Sequence, residues 1–276
     1  MNKYLRRLLA ALIISVFAAQ CAFALTIGTF NIEYFNISGK KKYELSDMQE
    51  VARIIRKSRA DVLALQEIEG DATMSFFVAK AMKGWKYSGN DTNGVQDLYF
   101  LWNPEKVTMV GTPMVCFPSV YSTFEEKKFK VFDRAPFIAK FRDNSTGEEY
   151  TLVNVHLKSQ STAGKKDKEE AVRYNNAKRA AQFVKLNELT STIDGPAFIL
   201  GDYNHDDAPD NTDYPLIYLK NGKSYDNMDS NLDFIGYINI DRSRLSDARE
   251  TESRVERRST KKKDHPDHDI ITIEIK

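Results

Sequence analysis

The chain has 276 residues, 42% of them hydrophobic and 29% charged, with a formal net charge of +1. Such a composition excludes a disordered or fibrous chain and is long enough to bury a full core. Near-neutrality gives no global sign of a polyanion binder, so any basic surface has to be local. Residues 1–24 read as a cleaved signal peptide. Lys3, Arg6 and Arg7 precede an apolar run from Leu8 to Ala19 that is short for a bilayer span, and Ala22-Phe23-Ala24 supplies a small-x-small cleavage pattern. The expectation is an exported protein, secreted or periplasmic, that starts near Leu25. Gln20 before Cys21 is not the small residue that a lipid-anchor site uses. Cleavage leaves 252 residues with a net charge of −2 and Cys116 as the only cysteine, which excludes an intramolecular disulfide. Cys116 reads as a small buried hydrophobe, and residues 25–276 as one domain.

The elements alternate. Leu25 to Asn31 reads as a buried strand, and Ser46 with Gln49 as a capping box before the helical face Met48, Val51, Ile54 and Ile55. Asp61 to Gln66 predicts a second buried strand, followed by a short helix through Phe76, Phe77, Ala79 and Ala81 that stops at Gly84. Leu98 to Trp102 and Phe137 to Phe141 are strands. The polar turn Asp143 to Gly147 joins the latter to Tyr150–Leu157 as a hairpin. Lys166 to Leu189 is a long helix, and Ala197 to Leu200 a strand ending at Gly201-Asp202-Tyr203-Asn204. Leu232 to Ile240 follows, then a charged loop from Ser253 to Lys263, then a closing strand from Ile270 to Ile275. Strand-rich halves with a few covering helices predict an α/β domain on two packed sheets.

The strand ends carry the chemistry. Asp202 and Asn204 are two apart, so an extended backbone sends both side chains the same way from the end of a buried strand. Asn31, Glu67 and His156 likewise terminate apolar runs, Asp233 precedes one, and Asp267-His268 precede the last. Oxygen donors of this kind suit a hard cation such as Mg²⁺, and histidines beside carboxylates suit general acid–base work.

Five pieces then carry a resemblance: Thr29-Phe30-Asn31-Ile32, Leu65-Gln66-Glu67, Asn154-Val155-His156, Gly201-Asp202-Tyr203-Asn204 and Asp267-His268. In this order they resemble the endonuclease/exonuclease/phosphatase superfamily, the group of deoxyribonuclease I-like enzymes. The resemblance implies a four-layer α/β sandwich, two central sheets flanked by helices. It also implies Asn31, Glu67 and Asp267 at the metal, His268 as general base oriented by Asp233, and His156 assisting the leaving group or steadying the phosphate. Asp202 and Asn204 would position the attacking water and the phosphate, and Arg134 would contact phosphate oxygens, a task its planar fork suits. Pro266 stands where the family's closing motif has a serine. Asp264-His265 is a decoy for that motif, set aside because it runs into Pro266. No carboxylate partner of His156 is evident; Asp91 lies in a plausible region.

His205, Asp206 and Asp207 read as a solvated loop rather than a second metal site. Arg254, Arg257, Arg258, Lys261, Lys262 and Lys263 run into the closing motif, and Lys158 adds to the same rim; both would attract a polyanion. The reading is therefore an exported hydrolase dependent on Mg²⁺ (Mn²⁺ or Ca²⁺ as substitutes). Its expected substrate is nucleic acid, DNA before RNA, cut as a phosphodiester with little sequence preference. It is expected to be monomeric, without stable membrane association, since no apolar docking loop is evident. A lipid or small-molecule phosphoesterase, and a non-catalytic binding protein on the same fold, are the alternatives.

Overall fold

The computed structural model describes residues 24–39, 42–220, 222–226, 230–257 and 262–276. Apart from Ala24, the predicted signal peptide lies outside these residues, as do Arg258 and Lys261 of the basic stretch.

Strand β1 (Leu25–Phe35) leads through helix α1 (Leu45–Ser58) to β2 (Val62–Ile68), which pairs parallel to β1. A parallel neighbour needs a crossover of this length, and the helix provides it. Helix α2 (Gly70–Lys80), β3 (Lys86–Gly89) and β4 (Asp97–Trp102) complete this half. After β5 (Val107–Val115) a small hairpin of β6 (Tyr121–Phe124) and β7 (Lys127–Lys130) stands apart from the main sheets. Then β8 (Phe137–Asp143) and β9 (Glu149–His156) form the predicted hairpin. Helix α3 (Lys168–Thr190) crosses to β10 (Ala197–Asp202), which is parallel to β9. A one-turn helix α4 (Ala208–Asn211) and the short β11 (Leu216–Ile217) precede β12 (Asp233–Ile238). The chain closes with β13 (Arg249–Thr251), the hairpin β14 (Val255–Arg257) and β15 (Lys262–His265), and β16 (Ile270–Ile275).

Two mixed six-stranded sheets result, in the orders β13-β16-β1-β2-β4-β3 and β11-β12-β10-β9-β8-β5. Their facing sides meet in one apolar layer that includes Ile27, Phe100, Phe137, Leu152, Phe198 and Ile273. Met48, Val51 and Ile55 of α1 and Phe77 of α2 cover the outer face of the first sheet. Phe183 and Leu186 of α3 cover the second. The expected four layers are present.

Several local expectations are corrected. The cap of α1 is not Ser46 with Gln49: Asp47 accepts the Glu44 N–H at 2.9 Å, two residues earlier. The segment 253–263 contains strands, because β14 and β15 pair with each other rather than loop freely. Cys116 is half-buried beside the α3-side cluster instead of fully buried. Helix α3 packs with polar side chains as well as apolar ones. Asn175, Lys178, Arg179 and Gln182 are all buried, and Lys178 Nζ meets Asp133 at 2.6 Å.

Topology puts the polar strand ends on one edge. Asn31, Glu67, His156 and Asp202 lie at or near the carboxyl ends of two parallel pairs, where open α/β sheets place their ligands. The antiparallel partners contribute their amino ends: Asp233 opposite Asp202 in β12, and His268 just before β16.

Candidate active site

The first sheet becomes irregular in two adjoining ladders beside this edge. The β1–β2 register shifts between Asn31 and Phe35, and the β2–β4 register shifts between Leu65 and Ile68. Glu33, Tyr34 and Glu67 have left-handed backbones, with φ of 41°, 51° and 61°. Bulges of this kind re-aim side chains beside functional sites. Here the Tyr34 N–H donates to Glu67 Oε2 at 3.0 Å, so the two irregular strands hold each other. Behind them Asn154 is wholly buried. Its Nδ2 donates to the carbonyls of Leu65 and Tyr99, both at 2.9 Å, and its Oδ1 accepts from Gln66 Nε2 at 2.8 Å. The carbonyls released where the β2–β4 ladder breaks are thus satisfied from the other sheet.

Asp202 is the centre. His156 faces it across the parallel β9–β10 register and Asp233 across the antiparallel one. Its Oδ2 accepts from Asn31 Nδ2 and Asn204 Nδ2, each at 3.0 Å, and its Oδ1 from the Asn204 N–H at 2.8 Å. Asn204 therefore converges on Asp202, though not by strand alternation. β10 ends at Asp202, and Asn204 adopts φ 57°, folding its amide back. Gly201 permits the approach: a Cβ there would collide with the Val155 carbonyl of β9.

Both histidines turn Nε2 toward Asp202 Oδ2, His156 at 3.4 Å and His268 at 3.7 Å. His268 Nδ1 is bonded to Asp233 Oδ2 at 2.7 Å. Burial opposes charge on His268, but the Asp233 and Asp202 carboxylates outweigh it and raise its pKa to about 10. His156 has the opposite fate. Burial, aided by the positive charges of Arg134 and His268, pushes its pKa well below the usual histidine range, so it is neutral. Burial raises Asp202 and Glu67. One cationic and one neutral imidazole thus flank a carboxylate that protonates readily.

A cavity of about 690 Å³ opens over these groups, and Glu67, Arg134, Lys158, Asn204, Asp267 and His268 line it. Tyr34, 43% exposed, stands at its mouth, and the Tyr225 ring lies 4.8 Å from that of His268. Glu67, Asp202, Asp233 and Asp267 bring four carboxylates to this edge. Among the described residues, Asp202, Asp233 and His268 present ligand atoms within 4.8 Å of one another. The 2.7 Å Asp233–His268 bond occupies that trio. Glu67 and Asp267, with Asn31, offer the oxygens a hard cation takes. The donor set fits a divalent ion, which would offset the excess of carboxylate charge.

Arg134 reaches the cavity, but much of its fork is committed. Nε donates to the His156 carbonyl (3.3 Å), Nη2 to that of Leu157 (2.7 Å) and Nη1 to Gln96 Oε1 (2.8 Å). It braces the segment after β9 as well as facing the site. Asp91 is not a partner of His156; it accepts the N–H groups of Asp71 and Asn93 beside α2. No partner of His156 Nδ1 occurs among the described residues. His205 lies outside the cavity lining, paired with Asp207. Arg254 pairs with Asp226 at 2.8 Å.

Two ordering serines went unseen in the sequence. The Ser224 hydroxyl accepts the N–H groups of Leu232 and Asp233 (2.9 and 3.0 Å), and the Ser253 hydroxyl donates to the His268 carbonyl. Ser224 lies 8 and 9 residues from the groups it holds, and Ser253 lies 15.

The family description that matches residues 28–244 is "Endonuclease/Exonuclease/phosphatase family". No curated protein sequence matches significantly. Among solved structures, a humanized D. rerio TDP2 aligns with a TM-score of 0.66 at 15% identity, covering 92% of this chain and 99% of that one. The human Nocturnin catalytic domain with bound sulfate aligns at 0.59 and 14%, covering 92% and 94%. A mannosyl-6-phosphatase of Bacteroides thetaiotaomicron aligns at 0.58 and 18%, covering 91% and 99%. At these identities the likeness is one of fold.

Proposed function

The chain belongs to the endonuclease/exonuclease/phosphatase family, whose members are divalent-metal-dependent hydrolases of phosphoesters, and we propose that it hydrolyses phosphodiesters, with a nucleic-acid strand as the substrate. The observation that carries this reading is Asp202, held between the Nε2 atoms of His156 and His268 at 3.4 and 3.7 Å in an open cavity.

Asp202, raised by burial, takes the proton of a water that Asn204 helps to orient. His268, which the resemblance implies as general base, is kept cationic by Asp233 and instead donates from Nε2 to a phosphate oxygen, leaving the base role to Asp202. His156 is neutral and hydrogen-bonds the leaving oxygen, which takes its proton from solvent in the open cavity. Asn31, Glu67 and Asp267 would hold a divalent cation, Mg²⁺ being the best match to oxygen donors. When bound, such an ion neutralises charge on the phosphoryl oxygens. Lys158 and the uncommitted N–H groups of Arg134 would bind the phosphate. A diester brings one negative charge and a monoester close to two. A cavity with four carboxylates and few free cations favours the diester. A D. rerio TDP2 structure of this fold holds a single-strand DNA product, which supports a nucleic-acid strand.

The test incubates purified protein with plasmid DNA, RNA, bis(p-nitrophenyl) phosphate and p-nitrophenyl phosphate, each with Mg²⁺ and with EDTA. Diester cleavage in Mg²⁺ alone is expected. Hydrolysis of the monoester without either diester would replace this reading with a phosphatase. We further propose that the mature protein is exported and monomeric. N-terminal sequencing of the cell-free fraction should begin near Leu25, and light scattering should return the monomer mass.

A further inference from the structure

The surface beside the catalytic cavity carries more positive charge than that cavity uses. A groove of about 540 Å³ runs between the β6–β7 hairpin and the start of α3, lined by Lys127, Lys128, Lys158, Lys165 and Lys166. Only two carboxylates line it, and both are engaged. Asp167 caps α3 by accepting the Glu170 N–H at 2.9 Å, and Glu170 lies 3.8 Å from Lys127. No ion pair of Lys158, Lys165 or Lys166 occurs among the described residues. Buried Lys178, its charge met by Asp133 at 2.6 Å, lies behind the groove, 5.9 and 6.0 Å from the Phe129 and Tyr174 rings. Burial lowers the pKa of Lys158; nearby Asp133 opposes this, while Arg134, Lys178 and Lys165 add to it. An anion placed there would relieve the crowding.

The groove is also aromatic. Tyr174 packs edge-on against Phe124 (5.9 Å) and Phe129 (5.6 Å), and the Phe124 and Tyr174 rings remain partly exposed on its wall. Lysines interleaved with accessible rings are the composition that binds single strands: cations track the backbone and unpaired bases stack on the rings. A duplex keeps its bases stacked inside and gains only the charge term.

The groove adjoins the active site. Lys158 lines both cavities, and Asn175 of the groove donates to the carbonyl of Ser161 in the catalytic wall at 3.1 Å. We propose that this groove is a subsite for single-stranded nucleic acid, binding backbone phosphates at Lys158, Lys165 and Lys166 and a base against Phe124 and Tyr174, next to the phosphate being cleaved. The proposal rests on the phosphodiesterase reading above and adds the form of the substrate.

The experiment is fluorescence anisotropy of the full chain in EDTA, where no cleavage is expected. Its probes are fluorescein-labelled single strands of DNA and of RNA about twelve nucleotides long, and the matching duplex. Lys165→Glu/Lys166→Glu should weaken single-strand binding at least about tenfold at low salt and reduce the log–log salt slope by about 1.4, two contacts at roughly 0.7 each. An unchanged melting temperature excludes misfolding, and Tyr174→Leu should weaken binding without altering the salt slope. The DNA and RNA arms show which strand is preferred. Absence of single-strand binding by the wild type, equal affinity and slope in the lysine variant, or tighter binding of duplex would each overturn the subsite. Hydrolysis of bis(p-nitrophenyl) phosphate by the wild type with Mg²⁺ reads the catalytic assignment separately; its failure would sink that assignment whatever the anisotropy shows.

Discussion

Asn154→Leu is the sharpest test of how the two sheets build the site. Leucine has about the same bulk but cannot bond. The change strands the carbonyls of Leu65 and Tyr99, each now accepting at 2.9 Å, and one N–H of the Gln66 amide, now donating at 2.8 Å. All three are buried where the sheets meet, where an unsatisfied group costs about 1–3 kcal/mol. At about 2 kcal/mol each the loss is about 6 kcal/mol, and burying a leucine side chain offsets about 2 kcal/mol. A net loss of about 4 kcal/mol is expected, a large share of the roughly 5–15 kcal/mol that holds a domain together. Urea denaturation followed by tryptophan fluorescence measures it as a lower midpoint at unchanged m-value. Phosphodiester hydrolysis should fall too, since Glu67 follows Gln66 directly. A loss below about 1 kcal/mol would mean that Asn154 does not carry the junction, and the account of the β2 bulge would be wrong.

Other expectations follow from the same geometry. Asp233→Asn keeps the size of the side chain but removes the charge that holds His268 protonated, so diester turnover should drop on the order of 10²–10⁴-fold with the melting temperature nearly unchanged. Wild-type turnover would refute the pairing. Gly201→Ala should destabilise the fold by about 3 kcal/mol, because the Val155 carbonyl that its Cβ meets is backbone in a central strand and cannot move aside; thermal melting reads this. Arg244→Met addresses pH dependence. Hydrogen bonds from Arg244 and Tyr150 hold Glu148 below its ordinary value near 4.5, so the pair contributes above that value and fades as pH falls through the lower folded one. The stability difference between wild type and variant should be present at pH 6 and shrink as the pH falls below 4.5. It should stay under about 1 kcal/mol, as both groups are partly exposed. Isothermal titration with Mg²⁺ should show one binding event that Glu67→Gln abolishes; undiminished binding by the variant would move the cation elsewhere.

How far the sequence revealed this molecule depends on the range of each interaction. β2 and β10 were legible because Val62–Leu65 and Ala197–Leu200 are continuous apolar runs, as strands buried on both faces must be, and β16 because Ile271, Ile273 and Ile275 alternate with Thr272 and Glu274. The β6–β7 hairpin was not, since Tyr121–Lys130 is charged and partly exposed and lacks apolar alternation. Helix α3 was legible as a helix but not in its role. Its buried Lys178, Arg179 and Gln182 look solvent-facing in sequence, yet Arg179 and Gln182 grip Lys158 through its backbone, at 3.0 and 2.9 Å. Polar positions that serve another segment's backbone leave no periodic trace.

The same logic separates the groups the site displays from those that shape it. Asp202, His156 and Asp233 were legible as polar residues at strand ends, and register alone makes them neighbours. What register cannot do is turn Glu67 into the cavity, because an unbroken β2 would fix that side chain by simple alternation. The left-handed turn at Glu67 costs on the order of 1–3 kcal/mol for a non-glycine residue. It persists because Tyr34, itself left-handed, donates to Glu67, while Asn154 from the opposite sheet caps the carbonyls the break exposes. Each of these partners looks ordinary in its own segment: an exposed tyrosine and an asparagine within a strand. Only contact across 33 residues in one case and 89 in the other gives them meaning. The strain at Glu67 is therefore a property of the two-sheet junction. A variant that relaxes the junction should lose the site before it loses the fold.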